Sequence, residues 1–181
     1  MKKYIALLRG INVGGSKVIK MNNLAQLFVD FGFKNVKTFI QSGNVIFEYP
    51  QNDIEKVKSK IEKGLKRSLG YSVDVVLRTP DELLKIIKVN PFKNEITEPN
   101  TKLYVMFLSK QPDNKIKQAV KSYDNELETF RIKNSEVYVL IRKNDIQKTV
   151  FSTNFLEKKL ALIGTTRNWN SVNKIVNLCG D

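Results

Sequence analysis

Val36-Lys37-Thr38-Phe39-Ile40-Gln41-Ser42-Gly43-Asn44-Val45-Ile46-Phe47-Glu48 is the stretch whose reading decides the fold. Val36, Thr38 and Ile40 alternate with Lys37, Phe39 and Gln41, the period of a strand with one buried face. Ser42-Gly43 is the turn, since glycine reaches the positive φ that tight hairpins require, and Asn44 to Phe47 returns as a second strand.

Helical patterns flank this hairpin on both sides. Residues 21–31 carry Leu24, Leu27 and Phe28 at helical spacing and stop at Gly32. Residues 53–69 place Ile54, Val57, Ile61 and Leu65 on one face, with Asn52 and Glu55 as the capping box and Gly70 as the stop. Outside the helices lie two more strands: the compact apolar run Tyr4 to Arg9, and Val-rich residues 72–78 with Asp74 inside them. The order strand–helix–strand–strand–helix–strand is the ferredoxin-like arrangement.

A short helix follows, opened by Thr79-Pro80-Asp81-Glu82, with proline at the first helical position and glutamate closing the box. Polar residues 90–100, with two prolines, read as a linker. The second half repeats the order without repeating the sequence. It has a strand at 102–108 and a helix at 112–122 with Ile116, Ala119 and Val120 inward. A hairpin joins 127–132 to 136–142 across Lys133-Asn134-Ser135. Then come a helix at 150–163 ended by Gly164, a last strand that is short or absent near 165–168, and a helix at 171–178. The expected fold is α+β: two tandem ferredoxin-like (α/β-plait, βαββαβ) units, residues 1–90 and residues 91–181, the second with an extra C-terminal helix.

At 41% hydrophobic and 27% charged, the 181 residues have a globular composition and are not disordered. No apolar run approaches the 18 or more residues of a membrane span. Lys2 to Arg9 starts like a signal peptide, but Arg9 ends the apolar stretch and no small-residue cleavage site follows. Cys179 is the single cysteine, so no internal disulfide forms. These features point to the cytoplasm and to no membrane partner. Histidine is absent, which excludes histidine-activated nucleophiles, histidine metal ligands and a Cys/His zinc site. No metal and no cofactor is expected.

The net charge is +13, with 16 basic and 8 acidic residues in 1–90 and 15 and 10 in the remainder. A basic surface attracts phosphate-bearing ligands and polyanions, although solvated lysines on outer helix faces give the same count. Three segments could use it. In the first, Gly10 to Gly15 keeps the glycine spacing of a P-loop, but Ser16-Lys17-Val18 reverses the order that binds magnesium and phosphate. A nucleoside triphosphatase is therefore not expected, and a looser anion cradle of Gly14, Gly15, Ser16 and Lys17 is left, beside glycines needed only for their φ. In the second, Gln41, Ser42 and Asn44 form a polar hairpin tip able to offer donors and acceptors, or simply to satisfy the turn. In the third, Thr165 to Asn170 gathers Arg167, the single tryptophan Trp169, Asn168 and Asn170. Arg167 suits a phosphate or carboxylate and Trp169 a stacked base; alternatively Asn170 caps the last helix and Trp169 anchors it. Arg9 and Arg78 end two strands expected to be neighbours and are candidates to converge with Lys17. No residue stands out as catalytic.

Taken together, Leu7-Leu8-Arg9-Gly10-Ile11-Asn12-Val13-Gly14-Gly15, Gln41-Ser42-Gly43-Asn44-Val45, Arg78-Thr79 with Asn90-Pro91-Phe92, and Thr166-Arg167-Asn168-Trp169-Asn170 resemble, in order, the uncharacterised bacterial family named domain of unknown function 1697. The resemblance spans the chain. It implies a bacterial cytosolic protein with two ferredoxin-like parts, and no established reaction. It adds weight to Arg9, Asn12, Gly14, Gln41, Ser42, Asn44, Arg167, Asn168, Trp169 and Asn170 as site residues.

The sequence names no activity. It favours binding of a phosphate-bearing or polyanionic ligand, a nucleotide or nucleic acid, through a basic cleft. The alternatives are an enzyme acting on a small phosphorylated or carboxylated metabolite, and a non-catalytic protein–protein adaptor. The returning strand Gly43 to Glu48 lacks the paired aromatics of an RNA-recognition sheet.

Overall fold

The computed structural model describes residues 1–15, 17–142 and 149–180. Within them the fold is α+β, with two four-stranded antiparallel sheets and six α-helices. The chain divides into two compact units, Met1–Leu83 and Leu84–Gly180.

In the first unit the strands are β1 (Lys2–Leu8), β2 (Lys34–Phe39), β3 (Asn44–Tyr49) and β4 (Val75–Arg78). They lie in the order β2-β3-β1-β4, every neighbour antiparallel. Helix α1 (Met21–Asp30) and helix α2 (Ile54–Leu69) supply Leu24, Phe28, Val57, Ile61 and Leu65 to a core with Tyr4, Ala6, Leu8, Val45 and Phe47. Phe28, Phe31, Phe33, Phe47 and Tyr49 form its aromatic centre, with ring centroids 4.5–6.0 Å apart. A fully buried side chain such as Phe28 or Phe47 contributes roughly 1.5–3 kcal/mol of transfer free energy.

Two local expectations need correction here. The cap of α2 is Asp53, not Asn52: its carboxylate accepts from the N–H groups of Glu55 and Lys56 at 3.1 and 3.2 Å. The side-chain carbonyl of Gln51 accepts from the backbone amides of both Asn52 and Asp53, at 3.0 and 3.2 Å, just before the helix. Strand β4 begins at Val75, so Asp74 precedes the strand and is not inside it.

Helix α3 (Pro80–Lys88) runs across the division between the units. Its start is a capping box: the amide and hydroxyl of Thr79 donate to the Glu82 carboxylate at 2.7 and 3.0 Å, and the Thr79 hydroxyl accepts from the Glu82 N–H. Residues 90–100 are not a plain linker. They fold into a 3-10 turn at Glu95–Thr97, and Asn90 and Phe92 are buried.

The second unit contains β5 (Thr101–Leu108), α4 (Asn114–Ala119), β6 (Glu128–Lys133), β7 (Glu136–Arg142), α5 (Thr153–Leu160), β8 (Gly164–Asn168) and α6 (Trp169–Gly180). Its sheet order is β6-β7-β5-β8, again antiparallel throughout. Met106, Leu108, Phe130, Val137, Val139, Leu156 and Leu160 build its core. The last strand is thus present. Helix α5 ends at Ala161 with φ 52°, and Gly164 opens β8, where an added Cβ would lie 2.6 Å from Met106 Cε. Glycine is needed there for close packing, not for stopping a helix. Ala119, expected inward, is exposed, while Val120 is buried.

Candidate functional site

Two motifs far apart in sequence meet at one corner of the first unit. The amide of Leu8 donates to the carbonyl of Gly43 at 2.9 Å. Gly43 has φ +72°, and a Cβ there would lie 3.0 Å from Leu8 Cβ and 3.3 Å from Ile11 Cβ. Only glycine fits this hairpin tip against the loop that follows β1.

Asn12 pins the corner. Its Nδ2 donates to the carbonyl oxygens of Gln41 at 2.8 Å and Ile19 at 3.0 Å, and its Oδ1 accepts from the Ile19 N–H at 2.7 Å. Its φ of 55° suits asparagine, which tolerates the left-handed region. Asn44 is fully buried and its Nδ2 donates to the Phe39 carbonyl and to Ser42 Oγ. Asn12, Ser42 and Asn44 therefore hold the corner together instead of offering these groups outward. Gln41 is exposed, and its side chain has no partner among the described residues.

Gly14 and Gly15 are exposed at φ +59° and +75°, with open space where a Cβ would stand. The exposed Lys17 reaches away along the surface: its Nζ donates to the Ser72 carbonyl at 3.2 Å and lies 5.2 Å from the Tyr71 ring centroid. Ser16 lies outside the described residues.

Arg9 pairs with Asp74 at 3.6 Å, and its amide donates to the Asp74 carbonyl. Next to them, Glu62 accepts from the Val75 N–H at 3.0 Å. Burial pushes the Glu62 carboxyl above the usual range, Asp74 and Glu55 push the same way, and the Val75 hydrogen bond and Lys58 oppose them. Arg78 does not join this corner. It aligns with Ile5, because β1 and β4 run antiparallel and their C-terminal ends point in opposite directions. The expected convergence of Arg9 and Arg78 fails for that reason.

Beside the corner a hollow of about 540 Å³ is lined by Asn12, Lys20, Asn22, Asn23 and Gln41, among others. Helix α1 begins in its wall. No side chain caps that helix start and no acidic residue stands in its first turn. Lys20 is exposed and has no ion-pair partner among the described residues. The hollow thus combines a cation, carboxamides and the positive end of a ten-residue helix, a set suited to an anion. Of the expected residues only Asn12 and Gln41 line it. Lys20, Asn22 and Asn23 were missed: nothing in their spacing shows that residue 41 folds back over them.

In the second unit the expected residues separate by role. Arg167 is 5% exposed, and its guanidinium donates to Thr165 Oγ1 at 2.7 Å and to the Thr166 carbonyl at 2.8 Å. Burial lowers its pKa to about 10, so it stays charged at neutral pH, turned inward. These hydrogen bonds run to its own strand, and little of the residue is exposed. Asn168, not Asn170, caps α6, its Oδ1 accepting from the Ser171 N–H at 2.8 Å. The helix therefore begins two residues earlier than its apolar pattern implied. Trp169 is partly buried rather than sealed in the core, and Asn170 is exposed. No cluster of three or more His, Cys, Asp or Glu suited to a metal occurs among the described residues. No helix among them is long and apolar enough to cross a membrane.

The family described as protein of unknown function (DUF1697) matches residues 1–138, well over half of the chain. The chain belongs to that family. Among solved structures it is similar to a conserved bacterial protein from Streptococcus pneumoniae, at a TM-score of 0.79 and 20% identity. That similarity covers 100% of this chain and 99% of the other. At such identity the likeness is one of fold. No functionally curated protein matches the chain.

Proposed function

We propose that this family member binds a phosphate-bearing or polyanionic ligand, a nucleotide or nucleic acid, in the hollow at the start of α1. The observation that carries this reading is the uncapped, acid-free first turn of α1 opening beside Lys20 and the carboxamides of Asn22, Asn23 and Gln41. Backbone N–H groups at such a helix start donate to phosphate oxygens, the lysine neutralises charge, and the amides orient what is bound. The overall charge of +13 draws anions toward the surface before any specific contact forms.

The scaffold we infer is a tandem of ferredoxin-like units. The order βαββαβ in the first unit, and the matching sheet orders β2-β3-β1-β4 and β6-β7-β5-β8, support it. A lone, buried cysteine agrees with a reducing cytoplasmic setting.

The test is a thermal-shift titration with inorganic phosphate, ribose 5-phosphate and a short single-stranded oligonucleotide, each at two salt concentrations. A ligand that binds only the folded state raises the melting temperature. The rise should shrink steeply at higher salt and disappear in Lys20→Ala. A rise that is insensitive to salt, or unchanged in Lys20→Ala, refutes the reading.

A further inference from the structure

The second unit holds a cavity of its own, of about 430 Å³. Its origin is a mismatch in strand length. Strand β8 pairs with β5 only from Asn168 opposite Tyr104 to Gly164 opposite Leu108. Thr101, Lys102 and Leu103 therefore extend past the pairing, because the chain leaves the sheet to start α6. The 3-10 turn Glu95–Thr97 contributes to the wall, and Ile96, Thr97, Lys102, Tyr104, Trp169 and Asn170 are among the lining residues.

Three features of this lining call for a ligand. Trp169 is partly buried, yet makes no ring contact with an aromatic or cationic side chain among the described residues. Elsewhere in the unit such ring contacts do form, as in Tyr104–Phe151 and Tyr123–Phe155. Lys102 is exposed and has no ion-pair partner among the described residues. Asn170 is likewise exposed and unpartnered among them, with a full set of amide donors and acceptors. Glu95 and Glu98 lie nearby in sequence, but neither lines the cavity. The first turn of α6 is already capped by Asn168, so the anionic contact falls to Lys102.

We infer that this cavity is a binding site for a ring-bearing anion of mononucleotide size, its ring stacked on Trp169 and its acidic group held by Lys102, with Asn170 meeting the ring edge. The volume lies within the roughly 300–1,000 Å³ of small-molecule sites. Stacking on tryptophan suits any flat heterocycle, and one lysine supplies the charge. The site lies wholly in the second unit and does not depend on the hollow beside α1.

Trp169 is the single tryptophan, so its fluorescence reports on this cavity alone. The experiment titrates the full chain with adenosine 5′-monophosphate, then with adenosine and with ribose 5-phosphate. The expected result is saturable quenching by the monophosphate, weaker by adenosine and none by ribose 5-phosphate. Lys102→Ala should weaken the monophosphate roughly tenfold or more, as loss of a charged hydrogen bond does. Lys20→Ala should leave it unchanged, which separates this site from the hollow. Absent or non-saturable quenching, or equal affinity in Lys102→Ala when its far-ultraviolet circular dichroism is native, overturns the proposal.

Discussion

The side-chain amide of Asn12 donates to the backbone carbonyl of Gln41 at 2.8 Å, tying two segments 29 residues apart. The same carboxamide bonds both backbone groups of Ile19, so three hydrogen bonds converge on one side chain. Asn12→Ala removes all three and leaves an alanine at positive φ. The expected loss is about 1–3 kcal/mol, the cost of leaving partly buried polar groups unmet. For a unit of this size that corresponds to a fall in melting temperature of roughly 4–8 °C per kcal/mol. Chemical denaturation checks it; a midpoint unchanged from the parent would show that the corner does not depend on Asn12.

Gly64 sits inside α2, where alanine is favoured over glycine by about 1 kcal/mol. Packing decides the other way. A Cβ at Gly64 would stand 2.7 Å from Phe31 Cζ, well inside contact distance. Overpacking costs typically ~1–3 kcal/mol, so Gly64→Ala should be net destabilising despite the gain in propensity. The double substitution with Phe31→Leu should recover part of the loss. A more stable Gly64→Ala single variant would contradict the packing described for the aromatic core.

The phenol of Tyr138 is fully buried and donates to the Ile86 carbonyl at 2.8 Å. Burial pushes its pKa upward, and the Glu136 carboxylate adds to the rise. In the unfolded chain the phenol ionises near pH 10, while in the native state it keeps its proton to higher pH. The unfolded state then binds fewer protons, so stability falls as pH rises above about 10 and is unaffected below it. Tyr138→Phe should lose about 1–3 kcal/mol at neutral pH, because the Ile86 carbonyl is left without its donor. It should also flatten the alkaline decline, measured by denaturant titrations between pH 8 and 11. Parallel curves for parent and variant would remove Tyr138 from that decline.

Local signals were read well where the chemistry is local. The Thr79–Glu82 capping box and the glycine stop at Gly70 depend on residues a few positions apart. The hairpin is present too, but Phe39 pairs with Asn44, so its turn is Ile40–Gly43 and not Ser42-Gly43 alone, and Ile40 is exposed at positive φ outside the strand. The misreadings have the same physical root. Asn52 and Asp53 are both good caps, and Asp53 is the one whose carboxylate meets the N–H groups of Glu55 and Lys56. Asn168 and Asn170 posed the same ambiguity at α6, and the end of β8 settled it.

Composition and periodicity alone determined the element order, the apolar faces and the positive charge, since each follows from side-chain chemistry at short spacing. Tertiary structure decided which polar residues are available. Arg167 is sealed inside while Lys20 and Lys102 stand open, and Asn12 binds backbone while Gln41 does not. The reason is that a polar side chain's role depends on what the fold brings against it from distant parts of the chain. Strand direction and register set those meetings, as they set Arg78 opposite Ile5 and away from Arg9.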